Sequence, residues 1–275
     1  MSTTSTLKNN PVLFRSIRFD FSNKRALVIG GSRGIGKGVV ESLVAAGADV
    51  FYASRSPANG ETCGKFVKTD VHDEYAVAKL FTTIDDEGDL DFVINTSAIN
   101  HCKSIVEIEA GEWDDVNAVN IRAAFLVCKE AAKRMMKGDG GSIINIVSIG
   151  GLTSLGRSHM AYGIGMGGVA QMTRDLSTEW SSKGVRVNAI VCAQIMNKGL
   201  KERIADDPKL GDTFLRGLPI GRLGQPDEIK GLAIFLASDA SAWVTGALIP
   251  LDGGNLAKNA GGSHPGMPNA PDEQT

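Results

Sequence analysis

No apolar run in this 275-residue chain approaches the roughly 18 residues that a membrane-spanning helix requires, so no such helix is expected. Met1–Asn10 is polar and lacks the apolar centre of a secretory leader. Cysteine is scarce. Cys63, Cys102, Cys128 and Cys192 show no paired spacing and stand in no Cys/His cluster. That leaves neither a disulfide framework nor a metal site to expect, and it suits reduced thiols in a cytoplasmic protein. No charge of one sign dominates either. Lys and Arg number 29 against 31 Asp and Glu, a net charge of −2, which argues against nucleic acid or a membrane surface as partner. No internal repeat is visible. What is present is 43% apolar residues in a chain long enough for one large core and too short for two comfortable α/β domains.

The stretch with most to say is Arg25 to Gly38. Ala26 to Ile29 is a short apolar run, fit for a strand buried on both faces. It breaks at Gly30-Gly31 and restarts at Ile35, with Val39, Val40, Leu43 and Val44 at helical spacing. A strand, a glycine turn and a helix N-terminus make an anion site, because the free N–H groups and the dipole of the first helical turn favour a phosphate. Gly30 suits the tight turn, Gly34 lets a pyrophosphate approach the backbone, and Gly36 lets helix and strand pack closely. In this context the glycine loop points to a dinucleotide.

The spacing Gly-x-x-x-Gly-x-Gly resembles the short-chain dehydrogenase/reductase family, and residues from about 23 to 255 agree with it. The resemblance implies an α/β fold: a single-domain, Rossmann-like, doubly wound parallel sheet of about seven strands with helices on both faces. It places that dinucleotide-binding domain over 23–256, after an N-terminal extension 1–22 and before a flexible tail 257–275. Within the extension, Val12, Leu13, Phe14, Ile17 and Phe19 could pack on the domain or on a neighbour. The family moves hydride between a nicotinamide and a small carbonyl or alcohol, usually as a tetramer. A homotetramer, or a heterotetramer with an active relative, is therefore expected.

At the adenine end the pattern is intact. The second strand, Ala48–Ala53, ends in Ser54-Arg55, where family members preferring NAD carry an acidic residue. A 2′-phosphate wants cations, and Arg33 and Arg55 supply two, which reads as NADP(H). The strand Phe66–Thr69 leads to Asp70-Val71, the family's adenine contact. Strand Asp91–Ile94 ends in Asn95-Thr96-Ser97-Ala98, where the family usually has Asn-Asn-Ala-Gly. The full set expected to hold the cofactor is Gly30, Ser32, Arg33, Gly34, Ile35, Gly36, Ser54, Arg55, Asp70, Val71, Asn95, Ser97 and Ile195.

The chemical end departs from the family. Trp113 to Met136 reads as a long helix with a break near Asn117–Asn120, and Asn120 matches the family's active-site Asn. Strand Gly141–Ser148 ends in the residue that matches the catalytic Ser. Tyr162 stands where the family's proton donor stands, but one turn on, where a Lys belongs, is Met166. That Lys binds the nicotinamide ribose and lowers the tyrosine pKa. With an ordinary pKa of about 10, only about one tyrosine in a thousand is ionised at pH 7. Carbonyl reduction, which needs neutral tyrosine, should suffer less than alcohol oxidation, which needs tyrosinate. His101, His159 and Lys198 are candidate replacement cations, with Lys198 preferred because it lies in the lid, 198–218. Gly163, Gly165, Gly167 and Gly168 crowd the start of the same helix, which suits close packing at a subunit interface. After strand 184–191 the usual Pro-Gly turn is replaced by Cys192-Ala193, so its shape and its carboxamide contact are expected to change.

These departures ring the nicotinamide end, and three functions follow from them. One is an NADP(H)-dependent oxidoreductase that favours reduction through Tyr162 and Ser148. Another is a catalytically silent subunit that binds cofactor or substrate beside an active relative. The last is a non-redox enzyme using Tyr162 as acid or base.

Overall fold

The structure is a computed structural model that describes residues 19–60, 63–156 and 158–258. Among the described residues there are seven strands, most of them apolar runs: β1 (Arg25–Ile29), β2 (Asp49–Ser54), β3 (Lys65–Lys68), β4 (Phe92–Asn95), β5 (Gly141–Ser148), β6 (Val185–Cys192) and β7 (Leu248–Leu251). All pair in parallel, in the order β3-β2-β1-β4-β5-β6-β7. The order reverses between β1 and β4, which opens a crevice at their carboxyl ends, the usual ligand position in such sheets. The expected Rossmann-like α/β architecture is thus observed.

Among the described residues the α-helices of eight residues or more are α1 (Gly34–Ala45), α2 (Glu74–Asp85), α3 (Ala110–Asn117), α4 (Ala123–Met135), α5 (Met160–Trp180), α6 (Lys198–Asp206), α7 (Pro208–Arg216) and α8 (Lys230–Ala237). Strand residues alternate between two cores. Leu27 and Ile29 of β1 join Leu80 and Phe81 of α2 and Leu126 and Val127 of α4. Ala26 and Val28 join Val39 and Leu43 of α1 and Ala233 and Leu236 of α8. A sheet covered on both faces accounts for strands that read as unbroken apolar runs. In the described part of the N-terminal extension, Phe21 is buried and meets Phe92 edge-on at 5.1 Å, while Phe19 packs beside it. Val12, Leu13, Phe14 and Ile17, and all of the tail after Lys258, lie outside the described residues.

The break expected in the long helix is a π-helical segment, Ala118–Arg122, between α3 and α4. Such insertions are frequent at functional sites. The segment expected as a lid consists of α6 and α7, capped by Asn197 and Asp207, with Phe214 and Leu218 buried. The helix α8 follows a 3₁₀ turn at Pro226–Ile229. There Arg222 grips Glu228 with two bonds of 2.7 and 2.6 Å. With the Gln225 N–H also donating to it, the Glu228 carboxyl falls to about 2.

The glycine turn is held by tight packing. A Cβ on Gly36 would lie 2.3 Å from the Gly30 carbonyl oxygen, and one on Gly30 would meet Thr96 Oγ1 at 2.5 Å. Gly36→Ala must push α1 off β1, since backbone cannot swing aside as a side chain can. We expect it to lose about 1–3 kcal/mol of stability in urea unfolding, the usual cost of overpacking. An unchanged midpoint would contradict this packing.

Candidate active site

The crevice above β1 and β4 is lined at one end by the glycine turn. Gly30 has φ +80° and Gly34 φ +52°, both in the left-handed region that glycine accepts. Around Gly34 a Cβ would meet nothing within 4 Å, so this side of the turn is open to a ligand. Arg33 is the N-cap of α1 and gives it no side-chain cap, and the first turn carries no acidic residue. Among the described residues the leading N–H groups of α1 therefore have no side-chain cap, as an anion site requires. Ser32 and Ile35 flank the turn half-buried, with Ile35 packed on the core. A nicotinamide dinucleotide fits this cradle on chemical grounds: an open glycine, unfilled helix N–H groups and cationic neighbours.

Arg33 and Arg55 are both exposed, and neither side chain makes a hydrogen bond or ion pair among the described residues. Ser54 donates to the Ser56 carbonyl at 2.6 Å in an exposed bond. Asp70 accepts from the His72 N–H at 3.1 Å and contacts its ring at 3.0 Å. These bonds lower its pKa, with the backbone bond from His72 the largest cause. Val71 packs on the core beneath. Asn95 is buried and accepts from the N–H and hydroxyl of Ser97, at 3.2 and 2.7 Å. The substitution at Thr96 has a structural reason. Its hydroxyl donates to the Ile29 carbonyl at 2.7 Å and so ties β4 to the turn after β1.

At the other end, Ser148 and Cys192 stand side by side at the ends of β5 and β6. Tyr162, in the first turn of α5, hydrogen-bonds Ser148. Burial raises the Tyr162 pKa, the Ser148 bond opposes that, and the neighbouring Cys192 raises it further. Ser148 Oγ also accepts from the Gly150 N–H at 3.1 Å. Met166 is 1% exposed and packs with Val147, Ile149, Val169, Ala189 and Val191. Its position is part of the core, with no charge in the cluster.

Lys198 does not fill that gap. It is 91% exposed and sits 3.8 Å from Glu202 on the same helix, because the side chain leaves the first turn of α6 toward solvent. His101 faces Asp115 at 3.3 Å. His159, the N-cap of α5, stands beside the tyrosine with the two rings edge-on and centroids 6.5 Å apart, but burial, Ser148 and Cys192 are what shift the phenol.

Asn120 is 1% exposed, and its amide is wholly engaged with Ile99. Oδ1 accepts from the Ile99 N–H at 2.8 Å and Nδ2 donates to the Ile99 carbonyl at 2.9 Å. The π-helical segment therefore pins the loop leaving β4. The glycines of α5 pack inside the chain. Cβ atoms at Gly163 and Gly167 would lie 2.9 and 3.2 Å from the Gly150 and Gly151 carbonyls, at Gly165 2.9 Å from Asn120, and at Gly168 2.3 Å from Ile121. Gly167 and Gly168 thus make close contacts within this chain.

The changed turn after β6 is held without Pro-Gly. Gly224 donates to the Gln194 carbonyl at 3.0 Å, Met196 donates to Gly224 at 2.8 Å, and Ile195 bridges to Gly224. Ile195 is buried in the α1/α8 core. Gln194, which the sequence did not single out, carries a buried Oε1 with no hydrogen-bond partner among the described residues. It lines a cavity with Ala193, Leu251 and Asp252. An unpaired buried acceptor costs about 1–3 kcal/mol, so a ligand N–H or O–H there would be favoured.

Comparison with known proteins agrees with this geometry. A family model described as enoyl-(acyl carrier protein) reductase matches residues 29–255. D-threitol dehydrogenase of Mycolicibacterium smegmatis is 31% identical, over 88% of this chain and 97% of its own. The 2-dehydro-3-deoxy-D-gluconate 5-dehydrogenase of Pseudoalteromonas atlantica is 34% identical, over 88% and 99%. Among solved structures, a gluconate 5-dehydrogenase from Burkholderia cenocepacia in complex with NADP and tartrate superposes with a TM-score of 0.81 at 28% identity, covering 87% of this chain and 98% of that one. The chain belongs to the short-chain dehydrogenase/reductase family.

The Asn120 clasp gives a direct test. Asn120→Ala leaves two backbone groups of Ile99 without partners, a loss of about 2–4 kcal/mol in urea unfolding. Asn120→Asp should not rescue it, because a carboxylate can accept from the Ile99 N–H but cannot donate to the carbonyl. Wild-type stability in both variants would contradict the clasp.

Proposed function

We propose that this protein is an NADP(H)-dependent oxidoreductase that favours carbonyl reduction, with Tyr162 as proton donor, Ser148 as its partner on the substrate oxygen, and Asn120 holding the loop beside them. The observation that carries this reading is the environment of Tyr162: burial raises its pKa, and Met166 sets an apolar side chain where a cation would lower it. A phenol kept protonated is a general acid and a poor base. When bound, the nicotinamide supplies or accepts the hydride. Gly30, Ser32, Gly34, Ile35 and Gly36 would hold its pyrophosphate end, and Ser54, Asp70, Val71, Asn95 and Ser97 would frame the adenosine and ribose. Ile195 and the unpaired Gln194 Oε1 belong to the turn that would meet the carboxamide. Arg33 and Arg55 support NADP(H), and a related structure was solved with NADP. Relatives named for polyols and sugar acids make keto-sugars and keto-sugar acids the first substrates to try. The proposed setting is cytoplasmic, as a homotetramer or a heterotetramer with an active relative. Phe125 on α4 and Ile164 on α5, each about half exposed, suit such a contact.

The proton sign is simple. Raising the Tyr162 pKa extends the protonated, reducing form upward, so the reduction rate should hold its acid limb beyond the ordinary tyrosine value of about 10. Purified protein should consume NADPH with a carbonyl from the panel, and Tyr162→Phe should cut the rate about 10²–10⁴-fold. Met166→Lys should speed alcohol oxidation more than carbonyl reduction, since only oxidation needs tyrosinate. A second reading, the silent subunit, is favoured by the same buried Met166. It expects no turnover before or after that substitution, and that outcome would rule out the reductase.

Cofactor choice has its own test. Arg33→Ala and Arg55→Ala should each weaken NADPH far more than NADH, each removing a charge-assisted bond worth about 1.5–3 kcal/mol. Fluorescence titration reads both affinities. Tighter binding of NADH than NADPH by the parent protein would overturn the 2′-phosphate reading.

A further inference from the structure

Two residues distant in sequence meet beside Tyr162. Cys102 lies in the loop after β4, and His159 is the residue before α5. Cys102 Sγ is 3.6 Å from His159 Nε2 and accepts from Asn100 Nδ2 at 3.5 Å. The same imidazole stands edge-on to the Tyr162 ring. Ser158, at φ +55°, turns the chain into this helix start. Cys102 is exposed, whereas Cys128 and Cys192 are buried and pushed up to about 12 by that burial. Cys63 is also exposed, yet it has no imidazole or amide partner among the described residues.

We propose that Cys102 and His159 form a nucleophilic thiol–imidazole site for soft carbon electrophiles, conjugated carbonyl compounds in particular, at the mouth of the Tyr162–Ser148 crevice. A nucleophile within reach of a base, with an amide N–H donating to the sulfur, is the arrangement that activates a cysteine. The step balances without any added oxidant. His159 Nε2 takes the thiol proton as sulfur bonds to the β-carbon. The C=C π bond breaks and its electron pair passes to the α-carbon, which takes the proton back from the imidazolium. The product is a thioether. The redox reading of the site uses neither residue, so this inference stands apart from it.

Full-length protein treated with limiting N-ethylmaleimide, and separately with iodoacetamide, and mapped by peptide mass spectrometry carries its own control in Cys63. At pH 7, Cys102 should react at least about 10-fold faster than Cys63, as an activated thiol does. His159→Gln should bring the two rates within about 3-fold of each other while leaving that of Cys63 unchanged, because only Cys102 loses its base. If that variant fails to fold, Cys128 and Cys192 will label. Asn100→Ala then carries the test, with a several-fold drop at Cys102 expected. Equal rates at Cys102 and Cys63 in the parent protein, or a Cys102 rate unaffected by loss of its partner, would overturn the proposal.

Discussion

The close approach of Gly36 to the Gly30 carbonyl is the contact on which the nucleotide end of this protein depends. It holds the first turn of α1 against the end of β1, and so aims the helix N–H groups into the crevice. Thr96 closes the other side by donating to Ile29, which joins β4 to the same turn. One small constraint therefore sets three elements at the point where the sheet order reverses. The open space around Gly34 is the ligand side of that construction.

At the chemical end a different balance operates. The helix that carries Tyr162 is packed so closely by its glycines onto Gly150, Gly151 and Asn120 that it has little freedom to move relative to β5. Within that rigid frame Met166 has become core. A charged side chain there would have to be desolvated, whereas methionine gains from burial among valines and isoleucine. In the proposed reductase this burial leaves no cation at position 166 to favour tyrosinate. On the proposed reading, a site built this way is suited to giving a proton.

Much of the fold was legible in the sequence because a sheet buried on both faces writes its strands as short apolar runs. The limits of β5 coincide with the expected 141–148, and the helix break at Asn120 is present as a π-helical segment. The glycine loop was legible because its residue types answer to backbone geometry, φ above zero and close contact. Directions of side chains were not. Lys198 lies in the lid in sequence but leaves its helix toward solvent, and the glycines of α5 face their own chain. The pairing of Cys102 with His159, 57 residues apart, is a tertiary contact that no local pattern encodes. Gln194 escaped notice for a similar reason: an unpaired buried oxygen is visible only once its neighbours are in place.

The central claim is that Tyr162 is held neutral because burial outweighs its hydrogen bond from Ser148 and no cation stands at position 166. The most direct measurement is a pH titration of protein labelled with ¹³C at the tyrosine Cζ, with Tyr162→Phe used to assign the resonance. The Tyr162 signal should remain that of the phenol past the ordinary midpoint of about 10 and should shift to phenolate at lower pH in Met166→Lys. A Tyr162 that ionises below that midpoint in the parent protein would contradict the claim.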